Sequence, residues 1–185
     1  MKTFEFKGEF QDLIESQFFC ALNSDKFFKY ESLKTHQEEL QSGNVKLHIT
    51  DERIIDYDPA IEQINAINHF LNNEEIIYQQ VYKVVKEKIL PNEKSYYSQD
   101  DYNAEELDWW FPELKSIEDL QQVLGFRTLR IDILYRKQIA LTYFDFEFSA
   151  DEEHGLTLVF EGNKFLDYGP FGGFDPQNML SLIHI

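Results

Sequence analysis

The stretch "RTLRIDILYRKQIALTYFDFEFSADEEHGLTLVFEGNKFLDYG", residues 127–169, decides the fold class. Apolar residues alternate with polar ones at Leu129, Ile131 and Ile133, and this period of two is typical of a half-buried β-strand. Three further strands are predicted in the same stretch, over residues 138–150, 156–161 and 164–169. The chain is therefore expected to carry an antiparallel four-strand meander towards its C-terminus.

The central part of the chain favours helices. Within residues 58–90, apolar residues recur at helical spacing in two runs that are separated near Asn73. Asp58 is a residue type that commonly caps a helix start, and Pro91 is typical of a helix end. We expect a helix pair here, or one broken helix.

A shorter helix is predicted directly before the meander. Ser116 and Asp119 have the spacing of a capping box, and Gly125 is expected to end this helix. Strand-like alternation also occurs earlier in the chain, at residues 2–10 and 44–50.

These elements together indicate an α+β fold. We expect an antiparallel sheet packed with a central helix pair, and a short helix before the C-terminal four-strand meander. The length and composition fit a single domain over residues 1–185. Its predicted parts are N-terminal strands in 1–57, a helix pair in 58–90, an acidic aromatic loop in 91–115, and a helix with antiparallel hairpins in 116–185.

The charge balance restricts the class of partner. The chain has 17 Lys and Arg residues against 34 Asp and Glu residues, a formal net charge of −17. Without a basic cluster, such a chain is a poor ligand for phosphate backbones, so we expect no nucleic acid partner. The N-terminus, MKTFEFKGEF, lacks the apolar core of a signal peptide, and no apolar run reaches the length of a membrane span. We therefore expect a cytoplasmic protein without a membrane partner; the sequence leaves the oligomeric state open.

The acidity is concentrated in residues 100–119, where eight acids accompany one base, Lys115. Aromatic residues are interleaved with these acids, a combination that can steer a basic protein and then anchor it. The candidate partner-binding residues are Asp100, Asp101, Tyr102, Glu105, Glu106, Asp108, Trp109 and Trp110. In the alternative interpretation, Trp109 and Phe111 lie in the core and the acids form a solvated loop.

A second group of polar residues surrounds the quartet Asp-Glu-Glu-His at 151–154. Carboxylates and an imidazole in this pattern are candidate ligands for a hard cation or an acid/base pair, and the four candidates are Asp145, Glu147, Asp151 and His154. The favoured interpretation is a structural turn in which Glu153 and His154 form local hydrogen bonds and Gly155 adopts a conformation that other residues resist. Gly162, in the Gly-Asn pair between the last two strands, is expected in a tight hairpin turn.

Motifs for phosphate, dinucleotide or zinc binding do not occur in the sequence. The five histidines also lack the spacing of a zinc helix. We therefore expect no cofactor, no metal site and no catalytic residues.

Two stretches between Leu120 and Gly169 resemble the C-terminal part of an uncharacterised bacterial family, domain of unknown function 6985. They are "LQQVLGFRTLRIDIL" and "YFDFEFSADEEHGLTLVFEGNKFLDYG". Residues 153–156 match an acid-Glu-His-Gly-Leu turn of that family, and Gly169 matches the glycine that closes its second strand. The stretch "AINHFLNNEEIIYQQVYKVV" is similar to the region that precedes them. The resemblance implies no catalytic residues, and it implies the context of cytoplasmic immunity or accessory proteins of polymorphic-toxin systems.

The charge and the resemblance favour the same function. We expect a non-enzymatic binding protein, an immunity-type inhibitor whose partner is a basic protein such as a toxin domain. Two alternatives stay open at this point. One is a small metal-dependent hydrolase that uses the Asp145, Glu147, Asp151 and His154 cluster, and the other is a housekeeping protein in which the turn serves only the fold.

Overall fold

Six β-strands form one sheet in the order in which they occur along the chain. The structure is a computed structural model, and it describes residues 17–23, 44–50, 59–98, 102–134 and 139–174. The strands are β1 (Gln17–Asn23), β2 (Asn44–Thr50), β3 (Leu124–Leu134), β4 (Ile139–Phe148), β5 (Asp151–Glu161) and β6 (Lys164–Gly169). The strand predicted at 2–10 lies outside the described residues.

Strand directions confirm the meander in outline and correct the rest of the sheet. Strands β3 to β6 are antiparallel neighbours, although β5 begins five residues before the predicted strand. Strands β2 and β3 are parallel, with Leu47 opposite Leu129 and Ile49 opposite Ile131. The prediction of an antiparallel sheet is therefore wrong at this pair. Parallel neighbours need a long crossover connection, and here it contains all the described helices.

The crossover contains one long helical stretch with two irregularities. It consists of α1 (Ile61–Val84), a π-helical turn (Val85–Ile89) and α2 (Leu90–Tyr97). Asn73 departs from helical geometry with φ −126° and ψ 19°. Of the two predicted forms, a helix pair or one broken helix, the stretch has the second. Helical structure does not stop before Pro91, because this residue lies in the first turn of α2, where its missing N–H is tolerated.

Two predicted boundaries between residues 91 and 125 are also wrong. The segment predicted as a loop over 91–115 contains most of α2 and a further helix, α3 (Ala104–Trp110). The predicted short helix is a 3₁₀-helix (Ile117–Gln122). Gly125, the expected end of this helix, lies in β3. The capping interaction itself is present, because the Asp119 carboxylate accepts a hydrogen bond of 2.8 Å from the Ser116 N–H.

The main core lies between the long helix and one face of the sheet. Ile67, Phe70 and Ile77 of α1 are buried, and the Phe70 ring packs 5.6 Å from that of Phe144 on β4. Burying side chains of this size stabilises the fold by about 1.5–3 kcal/mol each. The connection from β2 to β3 is therefore fixed against the sheet, and this also fixes the start of α2.

Candidate binding surface

Helix α3 displays the acidic aromatic segment. Its start is defined by Asn103, whose side-chain oxygen accepts a hydrogen bond of 3.0 Å from the Glu106 N–H. Glu106 accepts one of 3.1 Å from the Asn103 N–H in return, which completes a capping box. Leu107 and Phe111 are buried on the inner side of this segment. A short helix is therefore anchored at both ends, and its other side faces solvent.

The exposed side of α3 carries large aromatic residues. Trp109 is 68% exposed and Tyr102 is 42% exposed, and Tyr96 of α2 is 67% exposed. Trp110 is half buried and packs edge-on against Tyr102, with 4.9 Å between ring centroids. Phe111 lies in the core, so the alternative interpretation holds for Phe111 and is wrong for Trp109.

The acidic residues of α3 are also on its outer side. Glu105, Glu106 and Asp108 are exposed, and α3 contains no basic residue. The Asp108 carboxylate lies 2.6 Å from the Lys94 ammonium of α2, which partly neutralises it. We call the exposed face formed by Tyr96, Tyr102, Glu105, Glu106, Asp108 and Trp109 the acidic aromatic surface. Asp100 and Asp101, which were predicted to belong to it, lie outside the described residues.

A pocket of about 290 Å³ lies between α2 and strands β4 to β6. Its floor is apolar and its walls are polar. The floor is formed by Phe148 and Leu156, which are buried. The polar lining residues are Glu93, Asp151, His154 and Tyr168. The sequence did not suggest Glu93 or Tyr168, because they are far along the chain from the 151–154 quartet and belong to no motif.

Asp151 and His154 of the quartet line this pocket, where β5 bulges away from β4. Phe148 pairs with Asp151 and Phe146 pairs with Leu156, so four residues of β5 stand opposite one residue of β4. The tight turn itself precedes β5, at residues 149–150. The prediction of a turn at 153–155 is therefore corrected to a bulge inside a strand.

Local hydrogen bonds hold the bulge. Asp151 Oδ1 accepts a bond of 3.0 Å from the backbone N–H of His154, and it also lies 3.0 Å from His154 Nδ1. Gly155 has φ 63°, the left-handed region that glycine enters without strain. A Cβ at this position would lie 2.4 Å from the carbonyl oxygen of Phe146. Glu153 is exposed.

The other two predicted turn glycines lie away from this bulge. Gly162 has φ 57° in the tight turn between β5 and β6. The neighbouring Asn163 side-chain oxygen is 2.8 Å from His69 Nε2, which connects this hairpin to α1. Gly169 ends β6 and lies against the Phe174 ring, which is 3.1 Å from where a Cβ would be.

The structure does not bring the candidate metal ligands together. Asp145 is fully buried and accepts two hydrogen bonds from the Arg130 guanidinium, at 2.8 and 3.3 Å, and one of 2.6 Å from the Thr157 hydroxyl. Asp151 and His154 are paired with each other in the pocket wall. Within the described parts of the chain, no three His, Cys, Asp or Glu side chains are arranged to hold a metal ion.

Arg130 is a charged residue whose side chain is 13% exposed, and the sequence analysis did not single it out. Its guanidinium lies 3.8 Å from the Asp132 carboxylate and 4.6 Å from the centre of the Tyr143 ring. Removing one partner of such a pair leaves the other charge buried without compensation, which costs about 3–5 kcal/mol. Asp145 is therefore a structural residue of the sheet.

Two negative charges influence each other at the pocket. Burial, and then the charge of Asp151, raise the pKa of Glu93 above its ordinary value, and a hydrogen bond with Tyr168 opposes this effect. Burial, and then Asp151, also raise the pKa of Tyr97 on the same helix. The Tyr168 hydroxyl is held in addition by a 3.3 Å hydrogen bond from the Asn92 amide.

Comparisons with known proteins identify a family and no function. Residues 24–175 match the profile of a family described as a domain of unknown function (DUF6985). No curated protein and no solved structure matches the chain. Among the residues that the structure describes, no helix is long and apolar enough to cross a membrane.

Proposed function

The chain belongs to the DUF6985 family, and from that premise we propose that it is a non-enzymatic protein-binding domain that captures a basic partner on its acidic aromatic surface. The observation that carries this proposal is Trp109, which is 68% exposed on a helix without basic residues. Tryptophan side chains are highly buried on average in folded proteins, and they dominate the energy of many protein interfaces.

The arrangement suits both stages of association. The formal net charge of −17 attracts a basic protein over a distance comparable to the Debye length and raises the association rate. At contact, the rings of Tyr96, Tyr102 and Trp109 offer apolar area whose burial slows dissociation. Trp110 packs against Tyr102 from the inner side, so this ring is already positioned before a partner arrives.

We further propose that the partner is a bacterial toxin and that the protein acts as its immunity-type inhibitor. The support for this finer assignment is the resemblance noted in the sequence, together with the acidic surface. A nuclease or another toxin with a cationic active site would be occluded by such a surface through charge complementarity.

The metal-dependent hydrolase is the weaker alternative. It required Asp145 as a ligand, but this carboxylate already accepts three hydrogen bonds inside the sheet. No observation among the described residues favours it over a binding protein. The housekeeping alternative makes no use of an exposed Trp109.

Partner capture with matched variants tests the proposal. The tagged full chain is used to retain proteins from the lysate of its host at low and at high salt, and they are identified by mass spectrometry. We expect one basic protein that is released by salt. Trp109→Ala should weaken its binding at least 30-fold, as for an interface hot spot.

Two controls separate the surface from nonspecific effects. Ile61→Ala removes another large apolar residue, which is 65% exposed on α1, and should leave capture unchanged. Glu105→Gln should slow association at low salt more than Glu87→Gln, which removes the same charge from the exposed side of the π-helical turn. Equal capture by Trp109→Ala and Ile61→Ala, or no basic protein at all, would overturn the proposal.

A further inference from the structure

The pocket between α2 and strands β4 to β6 has the chemistry of a receptor for one long cationic side chain. Phe148 and Leu156 give it an apolar floor, and Glu93 and Asp151 place two carboxylates in its walls. We propose that this pocket receives an arginine side chain of the basic partner, with the guanidinium between the two carboxylates. This inference rests on the proposed function, because it assigns the residue with which the partner is anchored.

The size and the lining both fit arginine. A volume of about 290 Å³ is at the lower end for ligand pockets, so it suits one side chain better than a cofactor. The arginine stem is apolar and its head is a planar fork of donors that matches carboxylate oxygens. The Tyr168 ring in the same wall gives the guanidinium an aromatic face on which to stack.

The polar walls are fixed before any ligand arrives. Asp151 is held by its two contacts with His154, and the carbonyl of His154 accepts a 2.9 Å hydrogen bond from the Phe171 N–H. Tyr168 is held from α2 by Asn92. A receptor with preset walls loses little conformational entropy on binding, which favours affinity in a small site.

The charges around the pocket favour a cation. Burial, and then the charge of Asp151, raise the pKa of Glu93, and a guanidinium placed beside both carboxylates would favour the ionised form of Glu93. Two cationic side chains lie near the walls: the Lys88 ammonium, 5.5 Å from the centre of the Tyr168 ring, and the Arg127 guanidinium, 5.2 Å from the centre of the Phe171 ring. His154 faces the pocket as well, and its imidazole is paired with Asp151.

The pocket and the acidic aromatic surface share helix α2. Helix α2 contributes Glu93 to the pocket and Tyr96 to the surface, one turn apart. The turn between β4 and β5 contacts α3, because the Ser149 hydroxyl donates a 3.0 Å hydrogen bond to the carbonyl of Trp110. A partner that covers Trp109 is therefore well placed to insert an arginine here.

A titration of the full chain by NMR tests the pocket directly. The probe is N-acetyl-arginine methylamide, whose only charge is the guanidinium, at constant ionic strength. We expect saturable shifts of the His154, Gly155 and Gly169 amide signals. The isosteric citrulline analogue, which is uncharged, should leave these signals unmoved.

Variants and a second probe make the assignment specific. Glu93→Gln should weaken the arginine probe at least 10-fold, whereas Glu87→Gln should not change its affinity. Since Glu93 lies on a helix surface, its replacement leaves the fold intact, and this avoids the risk that Asp151→Asn loosens the bulge. Equal shifts with the citrulline analogue, tighter binding of the lysine analogue, or no effect of Glu93→Gln would each overturn the inference.

The same variant distinguishes this inference from the proposed function. If partner capture is lost in Trp109→Ala and unchanged in Glu93→Gln, the surface is the binding site and the pocket is not its anchor. If the arginine probe binds the pocket while no basic protein is captured, the pocket stands as a guanidinium site and the proposed function falls. Loss of capture in both variants supports the proposed function and the pocket as the anchor of the partner.

Discussion

Replacement of Gly155 by alanine tests the bulge that shapes the pocket. At φ 63°, an alanine costs about 1–2 kcal/mol through contact of its Cβ with the backbone. The Cβ would also lie 2.4 Å from the Phe146 carbonyl oxygen, so β4 and β5 must separate by roughly 1 Å. Forcing extra volume into a packed site costs about 1–3 kcal/mol.

The net effect is smaller than the sum of these two contributions. Alanine also restricts the unfolded chain, which returns about 0.4–1 kcal/mol. We therefore expect a loss of about 3 kcal/mol in the free energy of unfolding, or roughly 6–12 °C in Tm for a chain of this length. Urea unfolding followed by far-UV circular dichroism measures it, and the slope m should stay unchanged.

Gly172 provides the matched control. It has φ 75°, but nothing lies within 4 Å of a Cβ placed there. Gly172→Ala therefore carries only the conformational cost, about 1 kcal/mol or less after the unfolded-state gain. If Gly155→Ala is no more destabilising than Gly172→Ala, the close approach of β5 to Phe146 is refuted, and with it our account of how the pocket wall is held.

Three further predictions concern a ring, an ion pair and a carboxyl group. Trp109→Phe should remove most of the fluorescence that acrylamide quenches, because Trp109 is 68% exposed and Trp110 is half buried; equal residual quenching in Trp110→Phe would contradict this. Asp145→Asn should lower the free energy of unfolding by about 3 kcal/mol, because it leaves the Arg130 guanidinium without its closest charged partner. Glu153→Gln, at an exposed position, should change the free energy of unfolding by less than about 0.5 kcal/mol. Similar losses in Asp145→Asn and Glu153→Gln would refute the structural role of Asp145. Since the pKa of Glu93 is raised above 4.5 in the folded protein, the protein should lose stability as pH rises from 4.5 through the folded pKa. Glu93→Gln should be the more stable protein at pH 7 and should match the parent below pH 4.5; lower stability at pH 7 would mean that the Tyr168 hydrogen bond outweighs burial.

Periodicity in the sequence predicted the meander in outline, and for residues 58–90 it predicted a helix pair or one broken helix. The alternating residues Leu129 and Ile131 lie in the main core, and the change of pattern near Asn73 coincides with the kink. Such signals are local, since they arise from a few consecutive residues. The parallel pairing of β2 with β3 has no local signal, because its partners are about 80 residues apart.

The candidate site was predictable in composition and not in shape. The acids and aromatics of 100–119 were visible, but the Asn103–Glu106 capping box, which was also in the sequence, was overlooked, and a loop was predicted where α3 lies. Neither Glu93 nor Tyr168 could be assigned to the pocket, because only the packing of α2 beside β5 and β6 brings them near Asp151. The bulge was partly foreseen through Gly155.

The strand order has a consequence for the route by which the chain folds. Every neighbour in the sheet follows directly along the chain, but only the step from β2 to β3 spans the whole crossover. Closing that long loop loses more chain entropy than closing any hairpin of the meander. We expect strands β3 to β6 and the long helix to assemble first, and β2 to join them late. Destabilising changes at Leu47 or Ile49 should then accelerate unfolding while leaving the refolding rate nearly constant.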